Sequence, residues 1–293
     1  MKKVLVIVVT YNGRQWLERC LSSVVSSGAE GAVEKSLFVV DNDSTDGSAD
    51  YVASHFPQAR LVRSAENLGF SKANNLGFEW VLKKGYDYVY LLNQDAWLAP
   101  GALEALVAAA EAHPDYAVLS PLQYQDGYQA FDSQFAKLYH GSEAVWKPIP
   151  ASEPDEVVEI KRIMAAHWLV PVGALKTVGP FEEELFPLYG QDDDWCNRVR
   201  YHGLKVGVVP GAKAVHDRAQ RQETKEKVIR RNYYTGSLIR LCDPNRPLWE
   251  RFLFVCLFTL VKSVKYGSLL PFRYFWQICH QFPAIRRCRG RQV

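Results

Sequence analysis

The sequence contains one stretch, YVYLLNQD at residues 88–95, that decides the fold. Its first five residues are apolar or aromatic, which is typical of a strand buried on both faces in a parallel sheet covered by helices. Ligands of open α/β sheets bind beyond the carboxyl ends of the strands, so Asp95 lies where a ligand or a metal ion is expected. From this stretch alone, turn formation after a strand is an equally good interpretation of Asn93 and Asp95.

Three earlier strands alternate with helices. Apolar runs at residues 4–9 and 37–40 predict two strands, and residues 60–63 predict a third, short one. Apolar residues at helical spacing predict the helices between them. The third helix is predicted at about residues 71–84. A β-α-β-α-β-α-β order requires parallel pairing with right-handed crossovers, so the polar loops at the strand ends gather on one edge of the sheet.

The composition is ordinary for a globular protein and excludes several classes. A net charge of +3 over 293 residues is too small to indicate nucleic-acid binding. Six scattered cysteines without metal-ligand spacing favour reduced thiols over a disulfide framework or a structural zinc site. The apolar runs at residues 4–9 and 252–261 are too short to span a bilayer, so we expect no transmembrane segment. No dinucleotide-binding G-x-G-x-x-G follows the first strand, and there is no P-loop sequence.

Two of the polar loops carry carboxylates, Asp41 and Asp95, and Asn74 lies on the helix between them. Carboxylate and amide groups are suited to the edges of a nucleotide, and hard oxygen ligands are suited to Mg²⁺ or Mn²⁺ on its diphosphate. Taken alone, Asp41 is more simply interpreted as a turn residue before a helix.

Four motifs follow one another in these loops: TYNG at 10–13, VVDNDSTDGS at 39–48, ENLGFSKANN at 66–75 and LLNQD at 91–95. Together they resemble family 2 glycosyltransferases of the GT-A fold, and most of all the bacterial branch of rhamnosyltransferases and other O-antigen or capsule enzymes. The resemblance covers about residues 3–240. It implies an α/β fold with a mostly parallel central sheet flanked by helices.

The resemblance also implies a division of the chain. A GT-A domain at residues 1–240 would comprise a Rossmann-like nucleotide-sugar-binding half at 1–122 and an acceptor half at 123–240. Within the acceptor half, periodicity fades between Gln123 and about Asp155, which predicts an irregular or hairpin insertion. Residues 241–293 would form a helical, basic C-terminal region.

Carried over by position, the resemblance implies specific site residues. The donor nucleotide would contact Thr10, Tyr11, Asn12, Asp41, Asn74 and Asn93. Asp95 would be the last residue of the family's D-x-D motif and would bind Mg²⁺ or Mn²⁺, with His216 as a second ligand. Asn93 replaces the first acidic residue of that motif, so metal binding depends more on these two side chains.

A second motif, QDDDW at residues 191–195, resembles the acceptor site of the family. By this resemblance, Asp192 corresponds to the family's catalytic base. Independently, direct displacement at an anomeric carbon needs a group that takes the proton of the acceptor hydroxyl, and a carboxylate can do so. Gln191 and Trp195 would contact the acceptor, with Gln191 in place of the family's glutamate. The alternative is that the three aspartates only cap the following helix and that Trp195 belongs to the core.

The C-terminal region has an amphipathic pattern. Between residues 248 and 282, apolar and aromatic residues are interleaved with basic ones, which predicts one or two helices that could lie on an anionic membrane surface. Packing on the catalytic domain or a dimer contact would explain the same pattern. Arg218 and Arg221 in the preceding loop could close over the diphosphate, although a solvated loop is the simpler interpretation.

These features predict an inverting, metal-dependent glycosyltransferase of bacterial surface polysaccharide assembly. It would move a sugar from a nucleotide-diphosphate donor to a hydroxyl of a glycan or lipid-linked saccharide, in the cytoplasm or on the inner face of the cytoplasmic membrane. One alternative is a nucleotidyltransferase that makes a sugar nucleotide. Another is a catalytically silent nucleotide-sugar-binding subunit, suggested by the uncharged Asn93 and Gln191.

Overall fold

The protein is described by a computed structural model that covers residues 1–25, 33–140, 157–218 and 224–290. Its first four strands pair in parallel in the order β3-β2-β1-β4, which confirms the predicted alternation. Their bounds are β1 (Lys2–Thr10), β2 (Val33–Asp41), β3 (Arg60–Arg63) and β4 (Tyr88–Asn93). The stretch at residues 88–93 is thus a buried strand beside β1.

Helices cover both faces of this parallel half: α1 (Arg14–Val25), α2 (Ser48–His55) and α3 (Gly69–Lys84). Alternate residues of β1 belong to two different core clusters, as expected for a strand covered on both sides. Val6 lies in the cluster that contains Leu17 of α1, whereas Ile7 lies in the cluster that contains Phe78 of α3. The unbroken apolar sequence of the strand therefore follows from its two buried faces.

The second half of the sheet is mixed rather than parallel. Strand β4 is followed in space by β8, β6, β9 and β5, with β7 also on β9. The β6–β9 pair is parallel, whereas β8 and β5 pair in antiparallel fashion with their neighbours. The bounds are β5 (Ala96–Leu98), β6 (Tyr116–Tyr124), β7 (Val158–Ile160), β8 (His167–Pro171) and β9 (Lys205–His216).

The described part of this half contains four α-helices: α4 (Ala102–Ala112), α5 (Ser133–His140), α6 (Val172–Val178) and α7 (Gln191–Tyr201). Helix α5 lies in the region predicted to be irregular, where Asp132 accepts hydrogen bonds from the backbone N–H groups at the helix start. The remainder of the predicted insertion, residues 141–156, lies outside the described residues.

The C-terminal region is helical, as predicted. A helix runs through α8 (Lys225–Ile229), a π-helical segment (Arg230–Thr235) and α9 (Gly236–Cys242), and it is followed by α10 (Leu248–Tyr266), α11 (Leu270–His280) and α12 (Phe282–Gly290). Its own core includes Tyr233, Val255 and Ile278, and this core also contains Phe186 from the loop before α7. Among the described residues, no helix is long and apolar enough to cross a membrane.

Candidate active site

A pocket of about 510 Å³ opens at the carboxyl ends of β1, β2 and β4, the edge where the sequence places the ligand. Residues from distant parts of the chain share its wall: Val9, Tyr11, Asn42, Asn67, Gly69, Phe70, Asn93, Gln94, Asp95, Met164, Ala165, Ala166, Leu188, Tyr189, Gln191, Asp192, His216, Arg218 and Arg231. Predicted residues of both halves, Asp95, Asp192 and His216 among them, therefore face one space.

Asp95 and His216 meet because of a strand pairing that the sequence did not predict. Strand β5 begins directly after Asp95 and pairs with the end of β9, so that Ala96 lies opposite His216. The Oδ1 atom of Asp95 lies 3.6 Å from Nε2 of His216. Burial alone would raise the pKa of Asp95, but its interactions with His216 outweigh this effect and hold the pKa of Asp95 below its ordinary value. The Asp95 carboxylate is thus ionised near neutral pH.

This pair fits a divalent cation. Mn²⁺ binds both carboxylate oxygens and imidazole nitrogens. Mg²⁺ is usually held by one or two carboxylates together with substrate phosphates. Atom Nδ1 of His216 is buried without a hydrogen-bond partner among the described residues, so the ring retains an unused nitrogen. Asp95 is 16% exposed at its side chain, which leaves it open to the pocket.

Gln94 fastens the loop after β4 to the end of β1. Its Oε1 atom accepts hydrogen bonds from the Thr10 hydroxyl at 2.8 Å and from the Tyr11 amide at 2.9 Å. A Cβ atom at Gly13 would lie only 2.0 Å from the same oxygen, so a larger residue there would displace the Gln94 side chain from this position. Thr10 is fully buried by this contact and does not line the pocket. Its contact with the nucleotide stays a prediction, and in this structure its hydroxyl supports Gln94, which in turn holds the Tyr11 amide.

Asn12, also predicted to contact the nucleotide, holds two loops together instead. It adopts a left-handed backbone conformation with φ of 49°, which asparagine tolerates better than most residues. Its backbone N–H donates to the Ser44 hydroxyl, and its Oδ1 atom accepts from the Thr45 amide. Tyr11 and Asn93, by contrast, lie on the pocket wall.

Asp41 and Asn74 lie behind the wall. Asn74 donates to the Phe70 carbonyl within α3 and is 2% exposed. Asp41 is 3% exposed; one of its oxygens accepts from the Ser44 amide, and the other, Oδ1, has no hydrogen-bond partner among the described residues. A buried carboxylate oxygen without a partner is costly unless a ligand supplies a donor.

Asn42 and Asn67 line the pocket, although neither was predicted as a site residue. Asn42 donates its Nδ2 hydrogen to Oδ1 of Asn67 at 2.9 Å and accepts from the Leu68 amide at 2.7 Å. This network joins the loop after β2 to the start of α3. Asn42 directly follows Asp41, and Asn67 lies just before α3. These positions in the motifs are the signal that could have identified both residues.

The three aspartates in the first turn of α7 have different surroundings. Asp194 is fully buried in an ion pair with Arg198, with 3.0 Å between Oδ2 and Nε. Asp193 is paired with Arg162. Asp192 lies on the pocket wall, where one of its oxygens accepts from the Asp193 amide at 2.9 Å. Structural pairing thus accounts for two of the three side chains, and Asp192 is left facing the pocket.

The surroundings of Asp192 disfavour its ionised form. Burial, followed by the negative charge of Asp193, raises the pKa of Asp192 to about 7. The Asp193 amide and the positive charge of Arg162 act in the opposite direction without cancelling this effect. A carboxyl group with such a pKa both accepts and releases a proton near neutral pH.

The two residues predicted to bind the acceptor differ. Gln191 lines the pocket, and its Oε1 atom is buried without a partner among the described residues. Trp195 lies in the core, where it is 1% exposed, packs against Trp168 and donates its indole N–H to the Gly179 carbonyl at 2.8 Å. The prediction that its ring forms a wall for a sugar is therefore corrected: α7 turns Trp195 away from the pocket.

Basic and exposed aromatic groups complete the wall. Arg218 lines it while its Nε atom donates to Asp132 at 2.8 Å, and Arg221 lies outside the described residues. Arg231, which the sequence did not identify, reaches the pocket from the π-helical segment. Leu188 and Tyr189, both about half exposed, line the side next to α7.

Solved structures show the class of this fold. The chain is similar to Staphylococcus aureus TarS with a TM-score of 0.57 and 17% identity, over 86% of this chain and 42% of the TarS chain. It is also similar to GalNAc-T7 in a crystal with UDP, GalNAc and Mn²⁺, with a TM-score of 0.57 and 12% identity, over 97% of this chain and 58% of that one. The protein therefore has the GT-A fold of nucleotide-sugar-dependent glycosyltransferases.

Sequence comparison identifies the family. The model described as "Glycosyl transferase family 2" matches residues 5–152. The chain is 28% identical to the N-acetylglucosaminyl-diphospho-decaprenol L-rhamnosyltransferase of Mycobacterium tuberculosis, over 84% of this chain and 86% of the relative. The chain belongs to glycosyl transferase family 2 and is a glycosyltransferase, as the motifs predicted.

Proposed function

We propose that this glycosyltransferase is metal-dependent and inverting, and that it moves a sugar from a nucleotide-diphosphate donor to a hydroxyl of a glycan or lipid-linked saccharide. The observation that carries the proposal is the convergence of Asp95, His216 and Asp192 on one pocket wall. In this proposal residues 1–122 supply most of the donor side, and residues 123–240 supply the acceptor side and one metal ligand.

On the donor side, Tyr11, Asn42 and Asn93 are placed to contact the nucleotide. The unpartnered Oδ1 atom of Asp41, next to Asn42 in the chain, is a hydrogen-bond acceptor for an N–H group of the base or for a ribose hydroxyl. Asp95 and His216 would hold Mg²⁺ or Mn²⁺. When bound there, the cation stabilises the charge that develops on the departing nucleoside diphosphate.

On the acceptor side, Asp192 acts as the general base. The acceptor oxygen forms a bond to the anomeric carbon while the bond from that carbon to the diphosphate oxygen breaks, and the hydroxyl proton passes to the Asp192 carboxylate. The attack occurs opposite the leaving group, so a single displacement inverts the anomeric configuration. Gln191 retains a hydrogen-bonding amide beside the base, and its free Oε1 atom can accept from an acceptor hydroxyl.

The proposed acceptor is lipid-linked because the M. tuberculosis relative is named for an acceptor of this kind, a diphospho-decaprenol carrying N-acetylglucosamine. Such an acceptor lies at a membrane surface, which supports a location in the cytoplasm or on the inner face of the cytoplasmic membrane. The process that we propose for the enzyme is surface polysaccharide assembly in a bacterium.

The test is Asp192→Asn in the full chain, with release of free nucleoside diphosphate as the measured product. We expect turnover to fall by about 10²–10⁴-fold, since a positioned base contributes this much. Nucleotide binding with Mn²⁺, followed as a rise in melting temperature, should be unchanged because Asp192 lies on the acceptor side.

Asp193→Asn is the matched control, because Asp193 lies one residue away and is paired with Arg162. Comparable turnover in Asp192→Asn and wild type would refute the assignment of the base. Release of pyrophosphate would indicate a nucleotidyltransferase, and binding without any turnover in the wild type would indicate a silent subunit.

A further inference from the structure

The C-terminal helices present an unusual apolar surface to solvent. Of the eighteen large hydrophobic side chains that are exposed in the described part of the chain, ten lie on α10, on α11 and in the link between them. We call this surface the outer face, and its members are Trp249, Leu253, Phe254, Leu257, Leu260, Val261, Val264, Leu269, Phe272 and Trp276. Such a concentration of apolar side chains marks an interaction surface rather than scattered exposure.

The side of α10 that packs against the rest of the C-terminal region differs from the side that carries the stripe Leu253, Leu257 and Val261. On α10, Val255 and Thr259 are buried against the rest of the C-terminal region. The hydroxyl groups of Thr259 and Tyr233 share a hydrogen bond of 2.6 Å. On the other side, Leu253, Leu257 and Val261 follow one another at four-residue intervals, which places them on one stripe of the helix. A helix of a globular protein carries polar residues on that side.

The positive charge of residues 248–290 favours an anionic membrane over a second copy of the chain as the partner of the outer face. Residues 248–290 contain seven Arg and Lys residues and one acidic residue, Glu250. Lys265 and Arg273 are exposed at the end of α10 and on α11, next to the outer face in sequence. A second copy of the chain would bring like charges together, whereas an anionic membrane surface would attract them.

The outer face is connected to the pocket through one short segment. Arg231, on the pocket wall, belongs to the π-helical segment, which also carries Tyr233. The Tyr233 ring stacks on Phe258 of α10, with 5.8 Å between ring centroids. The helix that carries most of the outer face thus packs against the segment that reaches the pocket.

We propose that the outer face docks α10 and α11 in the plane of an anionic membrane. The apolar side chains enter the boundary between head groups and acyl chains, and Lys265 and Arg273 contact lipid phosphates. The purpose of this docking rests on the proposed function, because a lipid-linked acceptor would be bound at the membrane surface. The docking itself is measurable without any acceptor.

The experiment is sedimentation of the full chain with vesicles, one set containing phosphatidylglycerol and phosphatidylcholine in equal amounts and the other phosphatidylcholine alone. We expect stronger binding to the anionic vesicles, and a decrease with added salt. In the double variant Leu257→Glu/Val261→Glu, binding should fall by at least about tenfold, because two apolar side chains leave the boundary region. Both positions are more than half exposed, so the melting temperature should be unchanged.

Matched controls separate docking from general effects of the substitutions. Val25→Glu/Leu82→Glu introduces the same charge at two other exposed apolar residues, on α1 and α3, and should bind vesicles like the wild type. Lys265→Gln should weaken binding to anionic vesicles about twofold or more, whereas Lys176→Gln, in the last turn of α6, should not.

Two outcomes would overturn the proposal. Equal binding of the double variant and the wild type to anionic vesicles would exclude the outer face as the docking surface. A wild type that dimerises in the absence of lipid, and becomes monomeric in the double variant, would identify the face as a contact between copies. Hydrolysis of the donor in the absence of vesicles tests the proposed function separately, because it does not require the outer face.

Discussion

The two sides of the pocket are built in different ways. On the donor side, side chains hydrogen-bond to neighbouring loops: Gln94 joins two strand ends, and Asn42 joins the loop after β2 to the start of α3. On the acceptor side, Asp192 and Gln191 have few partners, and their neighbours Asp193 and Asp194 are paired with arginines.

This difference indicates what each side contributes. A network of loop-to-loop hydrogen bonds positions the donor groups before a ligand arrives, which lowers the entropic cost of binding. The acceptor side leaves one carboxyl group poorly solvated and close to a negative charge, which raises its proton affinity. The first side is thus suited to recognition and the second to proton transfer.

The largest effect is expected when the side proposed to bind the donor loses its proposed metal ligands. Asp95→Ala or His216→Ala should reduce turnover by about a thousandfold, since the charge of the leaving diphosphate is no longer stabilised. Asp217→Asn is the matched control, because Asp217 accepts from the Trp16 indole and does not line the pocket. The rise in melting temperature that nucleotide causes with Mn²⁺ should disappear in Asp95→Ala and His216→Ala but persist in Asp217→Asn. Its persistence in either alanine variant would contradict the metal assignment.

The buried ion pair on the acceptor side should dominate stability. Arg198→Met leaves the Asp194 carboxylate buried without its partner, and the free energy of unfolding should fall by about 3–5 kcal/mol. Arg162→Met removes an arginine that is about half exposed and should change the stability by less than about 1 kcal/mol. Urea denaturation measures both. Equal effects would show that the two pairs are not distinguished by burial as the structure indicates.

The pH dependence should reveal the acceptor side. Because the pKa of Asp192 is raised to about 7, the base is available above that pH and is lost by protonation below it. We expect kcat/KM to fall about tenfold for each pH unit below this value. A flat activity profile below about pH 7 would contradict Asp192 as the base.

The smallest effects should come from the neighbours of Asp192 and should have opposite signs. Asp193→Asn removes a negative charge and should shift the acid limb of the pH profile to lower pH, with a severalfold gain in activity at pH 6. Arg162→Gln removes a positive charge and should shift the limb to higher pH. Shifts in the same direction would show that these substitutions act through the fold rather than through charge.

The parallel half of the fold was predictable because its signals are local. The apolar run of β4 and the helical spacing of α3 lie within single elements, and their bounds agree with the structure to within a few residues. Strand β5 was not predictable, since its three residues form a strand only by pairing with β9. Strand β9 runs through Pro210 and Gly211 without a break, although such residues usually mark the end of a strand.

The site was predictable to a similar degree. Asp95, His216 and Asp192 were identified through motif positions, and the structure brings them to one pocket. Thr10 and Asn12 have the positions of ligand contacts in a motif, but whether their side chains face the ligand or another loop depends on partners far along the chain. Arg231 carries no local signal, because it reaches the pocket only through the packing of the C-terminal helices.

The pairing of β5 with β9 has a consequence for biosynthesis. Asp95 and His216 are separated by more than a hundred residues, so the proposed metal site cannot form until β9 has left the ribosome. A nascent chain that ends near residue 152, where the family match ends, contains the loops proposed to bind the donor but lacks both His216 and Asp192. A divalent cation held between Asp95 and His216, as proposed, would therefore be bound only after β9 has joined the sheet.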